Sequence, residues 1–341
     1  MNRRLPAEWE EQDGVLLAWP HADTDWQSTL TQVQGVFIEI ARAVSCYERL
    51  VIVAPDIAPV REQLLRAGID PDLVALYPVA TNDTWSRDFG PITVYEDDRP
   101  VLYDFGFNGW GLKFAAYHDN LVTAQLKAQG AFGNNPVRRP GLILEGGSID
   151  SDGAGTVLTT ARCLLSPNRN PHLDQHSLEQ TLAELLGATR FLWLNNGSLY
   201  GDDTDAHIDT LARFCSDSTI AYVCCDDPRD EHHVPLAAMK QELHALRTAD
   251  GRPYQLVPLP WPQPCYAPDG HRLPATYANF LVINKAVLVP TYGVPQDTAA
   301  VETIGRLFPD RKPIGINCRP LISQHGSLHC VTMHLPRGVL S

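Results

Sequence analysis

The sequence has no uninterrupted apolar run of about 18 residues, so no membrane-spanning helix is expected. None of its eight cysteines is spaced as Cys-x-x-Cys, which removes the common zinc and dithiol spacings. The zinc-deaminase pattern, His-x-Glu with Pro-Cys-x-x-Cys, is missing too. Basic residues are in short supply. Lys and Arg number 27 against 40 Asp and Glu, a net charge of −13. A nucleic-acid surface would need clustered positive charge, so that class is set aside. The opening stretch carries Arg3 and Arg4 but no apolar segment behind them. No secretory leader is expected, and the cytoplasm is the expected location. There is no low-complexity linker and no clean boundary. One domain spanning residues 1–341 is therefore expected.

What is present is an ordinary globular composition, 44% hydrophobic and 20% charged. Eight cysteines in a chain of 341 residues do not make a disulfide scaffold; most should be reduced and buried. The acidic balance suits a small cationic substrate, because a negative cleft concentrates cations. It is equally what plain solubility requires.

A unit recurs along the chain. Two short β-rich runs flank a turn, an amphipathic helix follows, and a third strand closes the unit. Ile92–Tyr95 and Val101–Tyr103 flank Asp97-Asp98, with a helix over 118–129 and a strand over 136–144. Residues 148–150 and 156–160 flank Asp152-Gly153, before a helix near 174–186 and a strand at 190–194. In that helix Leu178, Leu182, Leu185 and Leu186 make one stripe, and Gly187 can close it. Residues 208–214 and 220–224 begin a third unit, with Leu236, Met239, Leu243 and Leu246 on its helix and a strand at 255–259. Residues 277–283 and 286–289 begin a fourth, with a helix over 297–308 and a strand at 312–316. A fifth unit forms if residues 14–19 pair with a last strand near 328–335. Its helix carries Val33, Val36, Phe37, Ile40, Val44 and Tyr47. Five ββαβ units around an axis would make a closed α/β propeller; the alternative is an open α/β sheet.

Three acidic motifs and one thiol stand out: Trp85-Ser86-Arg87-Asp88, Leu144-Glu145-Gly146-Gly147-Ser148, Asp205-Ala206-His207-Ile208-Asp209 and His329-Cys330. Together they could hold and attack a guanidinium. Carboxylates recognise that planar cation by bidentate hydrogen bonds. Its carbon is a poor electrophile, so a thiolate is the natural nucleophile at neutral pH. A histidine can protonate the leaving amine and then activate water. Asp88 and Asp209 are the candidate guanidinium ligands, Cys330 the nucleophile and His207 the acid–base group. His207 and Asp209, two apart, would share one face of a strand. Glu145, before two glycines, would orient His207. Each motif alone has a plainer reading: a solvated strand end, a surface glutamate before a hairpin, a buried strand cysteine. A metal site from His325, His329, Cys330 and His334 is a further alternative, although Gly326 and the Val331-Thr332 pair disfavour a helix there.

In this order the motifs resemble the agmatine deiminases, close relatives of Porphyromonas-type peptidylarginine deiminase within the guanidine-modifying pentein superfamily. The resemblance runs from Pro6-Ala7-Glu8-Trp9, through residues 81–90, 157–160 and 165–171, to Cys330. It implies a five-bladed α/β propeller of ββαβ repeats with its site on the central axis. It implies hydrolysis of agmatine to N-carbamoylputrescine and ammonia through an amidino-cysteine intermediate, with no cofactor and no metal. The implied roles are Cys330 as nucleophile, His207 as acid–base, Glu145 as its partner, and Asp88 and Asp209 as substrate carboxylates. Trp85 matches a family position near the substrate, and Trp110 is expected along the alkyl tail. One departure is local. Many agmatine deiminases read Gly-Gly-Gly-Asn-Ile-His-Cys before the nucleophile, whereas this chain reads Gln324-His325-Gly326-Ser327-Leu328-His329-Cys330. A free-arginine or peptidyl-arginine deiminase is the alternative within the class, and it would need a cationic clamp, for which Arg87, Arg162 and Arg169 are candidates. Outside the class stand a non-catalytic guanidine binder and a metal-binding Cys/His protein. The expected partner is a small guanidine cation, without nucleic acid or membrane, and homo-oligomerisation is left open.

Overall fold

A computed structural model describes residues 2–340. Strands and helices alternate along the chain in a mixed α/β fold. Among the described residues, five sheets share one pairing rule: an antiparallel neighbour on one side and a parallel one on the other. Ile149–Ser151 runs antiparallel to Thr156–Thr160, which runs parallel to Arg190–Leu194. Ala212–Phe214, Thr219–Val223 and Gln255–Leu259 repeat the pattern. So do Leu281–Ile283, Ala286–Thr291 and Lys312–Asn317. In a fourth sheet Ile92–Glu96 and Arg99–Tyr103 are antiparallel, with Val137–Arg138 parallel to the latter. In the fifth, Met333–Pro336 lies antiparallel to Gln12–Ala18, which is parallel to Arg49–Ala54. None of these sheets closes on itself among the described residues. No described helix is long and apolar enough to cross a membrane.

Local sequence explains the elements. Asp174 caps the helix Gln175–Leu186 by accepting from the Ser177 amide at 2.8 Å, and Gly187 ends it at φ 71°. Leu178, Leu182 and Leu186 are its buried stripe. Leu30–Ser45 buries Val33, Val36, Phe37, Ile40 and Val44 at helical spacing.

Several expected strands are shorter, and this shapes the site. The strand expected over 136–144 survives only at Val137–Arg138, because Pro140 and Gly141 interrupt it. Residues 277–280 form no strand; that unit begins at Leu281. The strand expected over 208–214 starts only at Ala212, and Ile208–Thr210 is a 3-10 turn. The Thr210 amide and hydroxyl both donate to the His207 carbonyl, at 3.2 and 2.8 Å, which winds the chain there. His207 and Asp209 therefore do not share a face by strand periodicity.

Candidate active site

Asp88 sits in a single helical turn, Ser86–Phe89, not at a strand end. The Ser86 hydroxyl ties this turn into the core by donating to the Leu16 and Val331 carbonyls, at 3.0 and 2.8 Å. Asp88 accepts from the Trp110 indole at 2.9 Å and from the Gly147 amide at 3.0 Å. Trp110 itself has left-handed backbone, φ 56° and ψ 48°, between Gly109 and Gly111, which are left-handed too. A bulky residue rarely adopts that conformation. Here it aims the indole at a carboxylate.

Gly147 marks where the expected groups meet. A Cβ added to it would lie 2.7 Å from His207 Nδ1, 2.8 Å from Asp88 Oδ1 and 3.0 Å from Asp209 Oδ2. The gap these three side chains border is thus open only because this residue has no side chain. His207 is fully buried, and neither ring nitrogen has a hydrogen-bond partner. Its Nδ1 is 3.6 Å from Asp88 Oδ1, too far for a hydrogen bond. Asp209 Oδ1 is likewise buried and unpartnered. Buried polar atoms without partners are rare enough to need a reason.

Cys330 lies in the turn before Met333–Pro336. Asn279 fixes it: the side-chain carbonyl accepts from the His329 amide at 2.8 Å, the Cys330 amide at 3.3 Å and the thiol at 3.4 Å. Burial, then Asp209 and Asp88, push the thiol well above its ordinary pKa. Burial raises Asp88 to about 7 and Asp209 well above the carboxylate range. Burial, helped by Arg169 and Lys113, keeps His207 well below its ordinary value, so it is a neutral base.

Cys330 and Asp88 open onto a cleft with about 390 Å³ of empty space. Trp85 and Trp110 line it, at 6.4 Å between ring centroids and near right angles. Phe114, Asp83, Asp203 and His325 also border it. Asp25, at the exposed rim, adds a carboxylate. Asp83 accepts from the Trp85 indole at 2.9 Å and is raised to about 6, first by burial. Asp203 is raised to about 6, again chiefly by burial. Among the described residues no Arg or Lys lines this cleft.

Glu145 departs from its expected part. It makes no hydrogen bond to His207; both its oxygens accept from Arg169 Nε at 3.0 Å. It does lie close, since Glu145, Cys163 and His207 bring ligand atoms within 4.8 Å of one another. That trio suits a metal poorly. Arg169 already neutralises Glu145, and burial and Glu145 push the Cys163 thiol well up. Among the described residues His325, His329, Cys330 and His334 form no cluster of metal-ligand geometry. The candidate cationic clamps are placed elsewhere. Arg87 is buried against Glu8, Arg169 binds Glu145 and Asp205, and Arg162 is exposed.

Sequence reasoning missed Asn279, whose neighbours carry no motif, and the acidic rim of Asp25, Asp83 and Asp203. It also left Glu8 without a role, and gave His329 one only as a ligand in the metal alternative. The crowding of histidines around Cys330 was the one available signal for His329.

An unpartnered imidazole and two carboxylates without an Arg or Lys partner around one gap, with a thiol on the adjoining cleft, are equipment for cysteine-nucleophile chemistry on a planar cation. The chain belongs to the Porphyromonas-type peptidyl-arginine deiminase family, whose profile matches residues 4–336. The agmatine deiminase of Pseudomonas aeruginosa is 31% identical, over 98% of this chain and 95% of that one. A cysteine-to-serine variant of C. jejuni agmatine deiminase, solved with substrate bound, is 38% identical with a TM-score of 0.91, covering 99% and 97% of the two chains. A Porphyromonas gingivalis structure, named only provisionally as an arginine deiminase, is 50% identical with a TM-score of 0.94, covering 99% and 100%.

Proposed function

We propose that this protein hydrolyses agmatine to N-carbamoylputrescine and ammonia. The observation that carries the choice of substrate is the cleft, which has carboxylates from floor to rim and, among the described residues, no Arg or Lys. Agmatine is cationic at both ends. Its guanidinium would lie between Asp88 and Asp209, and its amine would meet Asp83 and Asp203. The α-carboxylate of arginine would meet those same two carboxylates, offset only in part by His325 and by Lys113, whose Nζ donates to the Asp203 carbonyl at 2.6 Å. Like charges brought together in a half-buried cleft repel.

Chemistry follows from the groups at the gap. In the free protein burial above all, with Asp209 and Asp88 adding to it, holds Cys330 as a thiol. A bound guanidinium sets a positive charge beside the sulfur and makes the thiolate accessible. His207 takes the thiol proton, and Cys330 Sγ bonds to the guanidinium carbon. His207 returns the proton to the nitrogen that leaves as ammonia, and an amidino-cysteine remains. The same ring then takes a proton from water, whose oxygen bonds to the carbon. The C–S bond breaks, the ureido product departs and the thiol is restored. Glu145, near the ring, favours its transient positive charge. Trp110 orients Asp88, and Trp85 with Phe114 flanks the alkyl chain.

This reading carries the finer architecture: a single catalytic domain over 1–341, a five-bladed propeller of ββαβ units with the site on its axis. Support comes from the five sheets with a common pairing rule and from site residues supplied by separate units. A cytoplasmic location belongs with it, and eight free cysteines suit a reducing compartment. The kinship with a provisional arginine deiminase favours that second reading. Ammonia release from agmatine, arginine and a peptidyl-arginine, measured side by side, separates the two. Turnover of agmatine alone is expected; preference for arginine would move the substrate and keep the chemistry.

A further inference from the structure

His329 precedes the nucleophile but faces away from the cleft, with a carboxylate on each ring nitrogen. Its Nε2 is 2.6 Å from Glu8 Oε2, and its Nδ1 is 2.7 Å from Asp209 Oδ2. Glu8, His329 and Asp209 are all buried. Glu8 is surrounded by donors. Arg213 Nη2 lies 3.1 Å from Oε1, Arg87 Nη2 lies 3.1 Å from Oε2, and the Val282 amide donates to Oε1 at 2.8 Å. Glu8 is therefore ionised and accepts the Nε2–H. A neutral imidazole has only that one N–H. The 2.7 Å approach of Nδ1 to Asp209 consequently requires a second proton between them. Asp209's other oxygen, Oδ1, is buried and has no partner, while the carboxylate as a whole borders the gap at Gly147 through Oδ2.

We infer that His329 is a positioning residue that stores this proton: when a guanidinium binds, the proton crosses from Asp209 Oδ2 to His329 Nδ1. The O–H bond breaks, the N–H bond forms, and the neutral acid and imidazole become carboxylate and imidazolium. Asp209 gains the charge that the substrate needs without exchanging a proton with solvent. The inference rests on the reading of the site as one for guanidinium.

The surroundings set the starting state. Burial and Asp88 push Asp209 up, while burial, Arg213 and Arg87 push His329 down, so the free protein holds the proton on Asp209. Other ionisable groups around the ring's partners are Asp150, 3.4 Å from Arg213, His334, 3.7 Å from Glu8, and Cys330 and Asp202 near Asp209. Burial and Arg87 keep His334 at about 3, so it is neutral. An incoming cation beside Asp209 thus favours separated charges on this pair.

The test uses the Cys330→Ser protein with ¹⁵N-labelled histidine, titrated with agmatine. The His329 resonances are identified by their loss in His329→Gln or, should that chain not fold, by their displacement in Glu8→Gln. Agmatine is expected to convert them from a neutral to an imidazolium pattern. Calorimetry at about pH 8, where Asp88 is already mostly ionised, in buffers of different ionisation enthalpy should show binding with little net proton release. Agmatine binding with unchanged His329 resonances, or with release of about one proton, overturns the inference. No binding of agmatine overturns the reading of the site and the inference with it. In steady state, His329→Gln should raise KM about tenfold for each pH unit below the Asp209 pKa. Its kcat should change less, because the proton must now leave to solvent before guanidinium pairs.

Discussion

The two sides of His329 handle buried carboxylates in opposite ways. Behind it, Glu8 is matched by Arg87, Arg213 and the His329 ring, and is held well below the usual carboxylate range despite complete burial. In front, Asp88 is just as buried and has no basic side chain in hydrogen-bond range, and it rises to about 7. A buried carboxylate that is paired is structure; one left unpaired is an incomplete ion pair. The front keeps its partner position for something the chain does not contain. The two sides are one residue apart in sequence, since His329 faces back and Cys330 faces the cleft.

Cys330→Ala tests the front alone. Turnover should fall by about 10⁴-fold or more, with the melting temperature close to that of the parent. Appreciable residual ammonia release would remove Cys330 from the chemistry. The reverse holds behind. Arg213→Met leaves Glu8 and Asp150 short of a cation inside the protein. Removing one partner of a buried pair costs about 3–5 kcal/mol. Denaturant unfolding should show that loss, and a stability change under about 1 kcal/mol would mean that the back network is not what holds this end of the fold. Asp88→Asn returns to the front. It keeps the shape and removes the charge, so kcat/KM for agmatine should fall on the order of 10²-fold with stability unchanged or raised. Unchanged kinetics would take Asp88 out of the site.

Only the front of this contrast was legible in the sequence. Cys330, Asp88 and Trp85 lie in short motifs whose residue types already state a chemistry. The helix at Gln175–Leu186 was legible from its leucine stripe and Gly187. Three things were not. The hydrogen bond between Glu8 and His329 joins residues 321 apart, and no local spacing encodes such a contact. The turn at Ile208–Thr210 is set by Thr210 donating to His207, where a run of apolar and β-branched residues looked like strand. The carboxylates of Asp83 and Asp203 are two among many surface-type acids, and only folding brings them to one cleft. Glu145 was expected to orient His207; its hydrogen bonds go to Arg169, which reads in sequence as one more loop arginine.

The rim gives a smaller effect of the same kind. The double variant Asp83→Asn, Asp203→Asn should raise KM for agmatine about tenfold with little change in kcat, since neither group touches the reacting carbon. It should also narrow the preference for agmatine over arginine. A kcat loss as large as the KM change would place these residues in the chemistry instead of the tail site.

The smallest effect comes from pH, and it separates front from back without mutation. Burial raises Asp88 to about 7, so below that pH the free protein carries it as a neutral acid unable to pair with guanidinium. The kcat/KM for agmatine should therefore climb as pH rises towards about 7, by roughly tenfold per unit, and then flatten. Glu8, held low, adds nothing over that range. Stability should run the other way. A carboxyl whose folded pKa is raised contributes fully below its unfolded value and loses that contribution as pH rises through the folded one. Thermal unfolding should thus show stability from Asp88 being lost over the same window in which activity appears. The slope carries further information. If Asp209 passes its proton to His329, only Asp88 must deprotonate and the limb has unit slope. A limb of slope two would mean that both front carboxylates release their protons to solvent, and that the back of His329 does not serve the front.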